Sequence, residues 1–191
     1  MTGLLLIRHA ETDLAGTFCG HTDPPVNERG RRQIEELIIG LANTGIEAVY
    51  TSDLQRARST AERIAQAFNL PLMAEPELRE IHFGDWEGLR WSEIELRDAA
   101  YARQWVTEYP DLPAPQGEGL ADFKNRVLQA ISRLQAQFEH RCAAVVTHGG
   151  VMRVVLQELC GRSSQEAWAL TKPYCSSFLY SLSPSSFEVH P

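Results

Sequence analysis

Two stretches of this chain are apolar without alternation, and each ends in a histidine. Leu4 to Ile7 run into Arg8 and His9 ("LLLIRHAET"), and Cys142 to Val146 run into Thr147 and His148 ("CAAVVTHGG"). Unbroken apolar runs of this length suit strands buried on both faces, as in a parallel sheet covered by helices. Between them the pattern changes period several times. After a loop rich in Gly, Thr, Asp and Pro ("GTFCGHTDPPVN"), Ile34, Leu37, Ile38 and Leu41 recur at helical spacing, with Asn27 placed to cap that helix.

A short strand is expected at "AVYTS", and Ser52 with Gln55 has the spacing of a capping box opening a helix through Phe68. "LPLMAE" reads as a further strand, and "ELREIHFGDWEGL" as a long loop, because Gly84 and Gly88 interrupt any period. Ser92 with Glu95 predicts a helix to about Tyr109, where the proline-rich "YPDLPAPQGEG" ends it. Leu120, Phe123, Val127, Ile131, Leu134 and Phe138 then share one face of a long helix. An apolar helix from Val151 to Leu159 and a late strand around "SSFLYSL" close the pattern. Strands alternating with helices predict an α/β fold, a three-layer α/β/α sandwich with a mainly parallel central sheet.

Composition narrows the classes. The 191 residues, 43% hydrophobic and 23% charged, fit one compact soluble domain spanning 1–191. The longest apolar stretches fall far short of a membrane span, and the first runs into Arg8 and His9 rather than a cleavage site, so no membrane partner and no secretory signal are expected. Cys19, Cys142, Cys160 and Cys175 are scattered without a CxxC pair, which fits free thiols in the cytoplasm and no zinc knuckle. A net charge of −7 with dispersed cations gives no footprint for nucleic acid, so an anionic ligand needs a local cluster. If the late strand lies at a sheet edge, it offers a route to a homodimer.

Such a cluster is available. Ligands of parallel sheets sit beyond the carboxyl ends of the strands, and His9 and His148 both emerge there. A lone histidine at a strand end is more often a hydrogen-bonded turn residue, but two at the same edge of the sheet, as two central parallel strands would place them, outweigh that reading. Arg8 adjoins the first, and Arg56 lies early in the helix after "YTS"; guanidinium forks match phosphate oxygens, although Arg56 taken alone reads better as a surface residue paired with Asp53 or another carboxylate. An unprotonated imidazole can attack phosphorus and carry the phosphoryl group, while the remaining cations stabilise charge on its oxygens. The chemistry then needs a proton donor for the departing alkoxide. Glu80, Asp85 and Glu87 are the candidates, and spacing does not choose among them. Glu11 is a further candidate, although beside the cluster it reads better as a residue orienting a histidine or arginine.

These residues resemble a known family. "RHAET", "SDLQRARSTA", "LREIHFGDWEG" and "VVTHGG", in this order between Leu4 and about Leu159, are similar to the signatures of the histidine phosphatase, or phosphoglycerate mutase-like, superfamily. The resemblance implies that His9 becomes phosphohistidine, that Arg8, Arg56 and His148 bind the phosphate, that Glu80 is the acid and base, and that no metal or organic cofactor takes part. It also implies a helical cap over the site, at about residues 85–125. Ala10 stands where the signature usually has Gly, Ala15 where many members carry a phosphate-binding Asn, and Gly119 where Ser is frequent.

Short length and the "FGDWEG" loop place the chain nearer the phosphatase branch, acting on a small phosphomonoester. That loop and "CGHTDPPVNERG" resemble the α-ribazole phosphatase group, which removes a 5′-phosphate in cobalamin assembly. Phosphoglycerate mutase-type transfer, broad sugar-phosphate or nucleotide hydrolysis, and non-catalytic phosphate binding are the competing readings. Trp86, Trp91, Tyr101, Trp105 and Tyr109 of the expected cap form either an aromatic wall for a ring-bearing leaving group or simply its packing. His21 and Cys19 are expected to border the substrate, and His82 to be structural.

Overall fold

The computed structural model describes residues 2–109, 111–181 and 189–190. Its six strands are β1 (Gly3–Arg8), β2 (Ile46–Thr51), β3 (Leu72–Ala74), β4 (Cys142–Thr147), β5 (Ser177–Tyr180) and β6 (Val189–His190), in one sheet of order β3-β2-β4-β1-β5-β6. β3, β2, β4 and β1 are parallel neighbours, whereas β5 runs antiparallel to β1 and β6 antiparallel to β5. The late strand is therefore interior. Leu182, the last residue of its expected stretch, lies outside the described residues.

The apolar runs make the sheet's two faces. Successive strand residues point to opposite sides. Leu4 and Leu6 of β1 with Ala143 and Val145 of β4 bury one face against α5 (Leu120–Gln137) and α6 (Gly149–Val154). Leu5 and Ile7 with Ala144 and Val146 bury the other against α2 (Gln55–Phe68), with Leu37, Ile38 and Leu41 of α1 (Glu28–Leu41). This is the expected α/β sandwich. On α5 the predicted face is the buried one, and Phe123, Val127, Ile131 and Leu134 each gain about 1.5–3 kcal/mol from leaving water. α6 continues as a π-helical turn, Val155–Leu159, and α7 is Ser164–Thr171. Among the described residues no helix is long and apolar enough to cross a membrane.

Two expected helix starts and one expected span are corrected. Asn27 caps α1, accepting from the Gly30 N–H at 2.8 Å. Ser52 and Gln55 form no capping box: Ser52 Oγ accepts from Leu54 N–H, and the Gln55 N–H donates to Asp23 Oδ2 at 2.9 Å. A side chain from the first loop thus replaces the local cap. The helix expected from Ser92 to Tyr109 is two, α3 (Trp91–Arg97) and α4 (Ala99–Glu108). Asp98 breaks it, since its side chain accepts from the Tyr101 N–H at 3.0 Å and caps α4 instead of continuing α3. At the start of α3, Glu93 rather than Glu95 reaches back, accepting from the Arg90 N–H at 2.8 Å.

α3 and α4 hold a separate small core. Trp86, Ile94, Ala102 and Ala114 are buried there, with Phe18, Phe83, Trp91, Tyr101 and Trp105 packed around them. Ring centroids of Trp86 and Trp105 lie 5.2 Å apart at 72°, a favoured edge-to-face arrangement. The predicted aromatics are therefore mutual packing, and Phe18 brings the first loop into the cluster; only Tyr109, against Trp105, is largely exposed.

Candidate active site

The site follows from strand register. Arg8 of β1 pairs with Thr147 of β4, so the next residues, His9 and His148, leave the sheet side by side. Their ring centroids are 5.1 Å apart and both side chains are buried. His9 Nδ1 donates to its neighbour's carbonyl, Ala10 O, at 2.7 Å, which leaves the lone pair on Nε2. That lone pair accepts from Arg56 Nε at 3.3 Å. Arg56, only 1% exposed, also donates from Nη1 to Thr22 O at 2.8 Å and from Nη2 to Gly20 O at 2.7 Å. The surface reading of Arg56 fails, and Asp53 pairs with Arg79 instead, at 2.5 Å.

Arg8 completes the cationic group. Its Nη1 donates to Thr171 O at 3.0 Å and to Lys172 O, and its guanidinium lies 4.0 Å from the Tyr174 ring centroid. Arg8 Nε and both ring nitrogens of His148 are buried without a protein partner. Buried polar groups are normally satisfied, so the Arg8 Nε–H and the one N–H of neutral His148, both beside His9, mark a place for a ligand with acceptors. Among the described residues no group of three or more His, Cys, Asp or Glu side chains could hold a metal ion.

Burial, reinforced by the charges of Arg56 and Arg8, holds the His9 imidazole well below its ordinary value of 6.5. The same holds for His148, where burial leads and Arg56, His9 and Arg8 add to it. Both imidazoles are thus neutral in the folded protein, although each protonates near 6.5 once unfolded. The unfolded chain then binds more protons below that pH, and stability rises with pH through this window. Unfolding free energy is expected to fall by about 1.4 kcal/mol per pH unit for each imidazole as pH drops below 6.5. Denaturant titrations from pH 7.5 to 5 check this, against a variant with both histidines replaced by asparagine.

Of the three carboxylates, Glu80 reaches this group. Its Oε2 accepts from Gly150 N–H at 2.9 Å and its Oε1 from Ile81 N–H at 3.0 Å, so it hangs at the start of α6 beside His148. Asp85 is exposed. Glu87 clamps the first loop: Oε1 accepts from His21 N–H at 2.6 Å and Oε2 from Thr22 Oγ1 at 2.7 Å. Burial raises its carboxyl, but hydrogen bonds from Thr22, His21 and Phe83 outweigh that and hold it below the ordinary value. Gly20 fits this clamp because it has φ +40° and because a Cβ there would lie 2.2 Å from Glu87 Oε1.

Gly150 is required for a similar reason. A Cβ there would lie 1.9 Å from Glu80 Oε1, so Gly150→Ala must push the carboxylate aside. The displaced group is the end of a flexible side chain, and the expected result is a nearly unchanged melting temperature with kcat/KM lowered about 100-fold. Steady-state kinetics and a thermal melt on the same preparation separate the two effects.

Other expectations divide. Glu11 orients neither histidine nor arginine of the site; its carboxylate accepts from Asn27 Nδ2 at 3.4 Å and pairs with Arg29 at 3.6 Å. The reason is direction: Glu11 faces the start of α1. Ala15 is exposed and adds no side-chain donor. His21 Nε2 donates to Glu80 O at 3.0 Å, and Cys19 Sγ donates to Thr22 O at 3.5 Å, so both border the site. The His82 ring packs against that of His21, centroids 4.8 Å apart and tilted at 54°.

Three participants carried no signal in the sequence. Tyr174, whose ring lies 5.6 Å from His9, sits in an irregular turn after α7. Thr60 Oγ1 accepts from Ala10 N–H at 3.1 Å. Arg126 of α5 donates to the carbonyls of Glu77, Arg79 and Glu80.

Comparison with known proteins agrees with this geometry. The profile of the histidine phosphatase superfamily (branch 1) matches residues 4–190. An adenosylcobalamin/alpha-ribazole phosphatase of Salmonella typhimurium is 33% identical over 167 residues, 86% of this chain and 83% of that protein. Phosphoserine phosphatase 1 of Hydrogenobacter thermophilus is 32% identical over 171 residues, 88% of this chain and 81% of that protein. The crystal structure of the alpha-ribazole phosphatase from Shigella flexneri superposes with a TM-score of 0.85 at 29% identity, covering 98% of this chain and 95% of that one. With nearly its whole length matched and its two strand-end histidines in register, the chain belongs to branch 1 of the histidine phosphatase superfamily.

Proposed function

We propose that this protein hydrolyses a phosphomonoester through a phosphohistidine on His9, and that its substrate is α-ribazole 5′-phosphate. The observation that carries the mechanism is the arrangement of nitrogens. The His9 Nε2 lone pair faces an arginine, while Arg8 Nε and His148 Nδ1 and Nε2 lack partners. A phosphate dianion accepts from Arg8 Nε–H and from the one N–H of neutral His148. On binding, Arg56 Nε–H turns from His9 Nε2 to a phosphate oxygen and frees the lone pair.

In the first step Nε2 bonds to phosphorus as the P–O bond to the alcohol breaks, and the Glu80 carboxylic acid gives its proton to the departing oxygen. Arg8 and Arg56 balance charge on the phosphoryl oxygens, and the N–H of neutral His148 donates to one of them. In the second step the Glu80 carboxylate takes a proton from water, the hydroxyl oxygen bonds to phosphorus, the P–N bond breaks, and inorganic phosphate leaves. Neutral His9 is restored. Depressed imidazole basicity serves this cycle, since it keeps the nucleophile unprotonated below neutral pH.

Support for the substrate comes from the relatives, two of those described being named for alpha-ribazole phosphate hydrolysis. In the same reading the chain is one domain, with residues of about 85–125 as a cap whose aromatic core is tied to the first loop by Phe18. Its four free cysteines favour a reducing compartment, the cytoplasm. The test is initial-rate hydrolysis in chelator of α-ribazole 5′-phosphate, phosphoserine, 3-phosphoglycerate, sugar phosphates and nucleotides. A pronounced preference for α-ribazole 5′-phosphate is expected. Equal rates across the set would remove that substrate and leave a broad phosphatase, and turnover of none would overturn the enzyme reading.

A further inference from the structure

Glu80 lies in an irregular segment, between the short 3-10 turns Pro76–Leu78 and Gly84–Trp86, where neither a strand ladder nor a helix fixes its backbone. A proton donor needs fixing, because displacement by about 1 Å costs on the order of 100-fold in rate. Its main-chain carbonyl answers this. It accepts from Arg126 Nη2 at 3.0 Å and from His21 Nε2 at 3.0 Å, two side chains from separate parts of the fold.

Arg126 spends every donor on this anchorage. Nη1 donates to Glu77 O at 2.7 Å and Arg79 O at 2.8 Å, while Nε and Nη2 grip both carboxylate oxygens of Glu118 at 2.7 and 2.8 Å. Glu118 Oε2 in turn accepts from His82 N–H, on the far side of Glu80. His21 is held as firmly: its N–H is clamped by Glu87 and its ring packs, tilted, against that of His82. Among the described residues neither side chain hydrogen-bonds His9, Arg8 or Arg56, and both hold the Glu80 carbonyl, so each acts through Glu80.

We propose that His21 and Arg126 are positioning residues for proton transfer, holding the Glu80 carbonyl between α5 and the first loop so that its carboxylate meets the leaving oxygen. The assignment rests on Glu80 being the acid of the proposed reaction. It predicts a defect that depends on the leaving group, because an alkoxide needs a proton to depart and a nitrophenolate does not.

The test compares kcat/KM for β-glycerophosphate and p-nitrophenyl phosphate in wild type, Glu80→Gln, His21→Leu, His21→Gln and Arg126→Lys. His21→Leu and Arg126→Lys are expected to lose about 100-fold on the alkyl ester and far less on the aryl ester, in the pattern of Glu80→Gln. His21→Gln, whose amide still donates to the carbonyl, restores most of the alkyl activity. Equal losses on both esters, or none, in His21→Leu would overturn the proposal. Should Arg126→Lys fail to fold, His21→Leu decides alone. If Glu80→Gln itself affects both esters equally, the assignment of Glu80 is wrong and the positioning role falls with it; if only His21→Leu does, the positioning role alone is wrong.

Discussion

His9→Ala is expected to lower kcat/KM by on the order of 10,000-fold or more, with the fold retained. The loss is large because no other group can replace the attacking atom. His148 has burial and depressed basicity like those of His9, but it follows β4 rather than β1 and has no arginine donating to its ring. Removing His9 also removes one buried imidazole, so the folded protein loses part of its acid sensitivity. Comparing single-turnover rates and the pH dependence of unfolding for the variant and the wild type reads both effects.

Arg56→Lys is the second large effect, and it acts on two levels. The guanidinium reaches Thr22 O, Gly20 O and His9 Nε2 in three directions, and an ammonium on a flexible stem cannot reproduce that fork. Stability is expected to fall by about 1–3 kcal/mol, the cost of leaving a buried carbonyl unpaired. kcat/KM is expected to fall about 100-fold to 1,000-fold, because one preorganised phosphate donor is lost. Denaturant melts and inhibition by inorganic phosphate separate the levels. Unchanged phosphate inhibition would contradict the placement of Arg56 in the phosphate site.

Those two residues show what a sequence can reveal. His9 and His148 follow buried strands, and a parallel sheet ends such strands at one edge, so their shared edge is legible before any coordinates, whereas the adjacency of β1 and β4 that makes them meet is seen only in the structure. Arg56 is legible only in company, since a first-turn helix arginine is usually solvated; its burial comes from the first loop folding over it, with Gly20 and Thr22 supplying carbonyls.

The rest depends on loops. Glu80, Asp85 and Glu87 lie within eight residues without a period; the family resemblance singles out Glu80, but in physical terms it is the approach of Gly150 to Glu80 and of Thr22 to Glu87 that gives them different roles. The Asn27 cap is local and legible, whereas at the start of α2 Asp23 supplies from a distance what the local pattern assigns to Ser52. Tyr174 and Arg126 act through distant chain segments, and no local pattern announces them.

The most direct test of the account is to trap the phosphoryl group. Enzyme mixed with phosphorus-32-labelled substrate, quenched in alkali within the first turnover and digested, should carry an acid-labile, alkali-stable label on the peptide containing His9. The same label should be absent from His9→Ala. Full turnover with no enzyme-bound label, or a label on any peptide lacking His9, would contradict it.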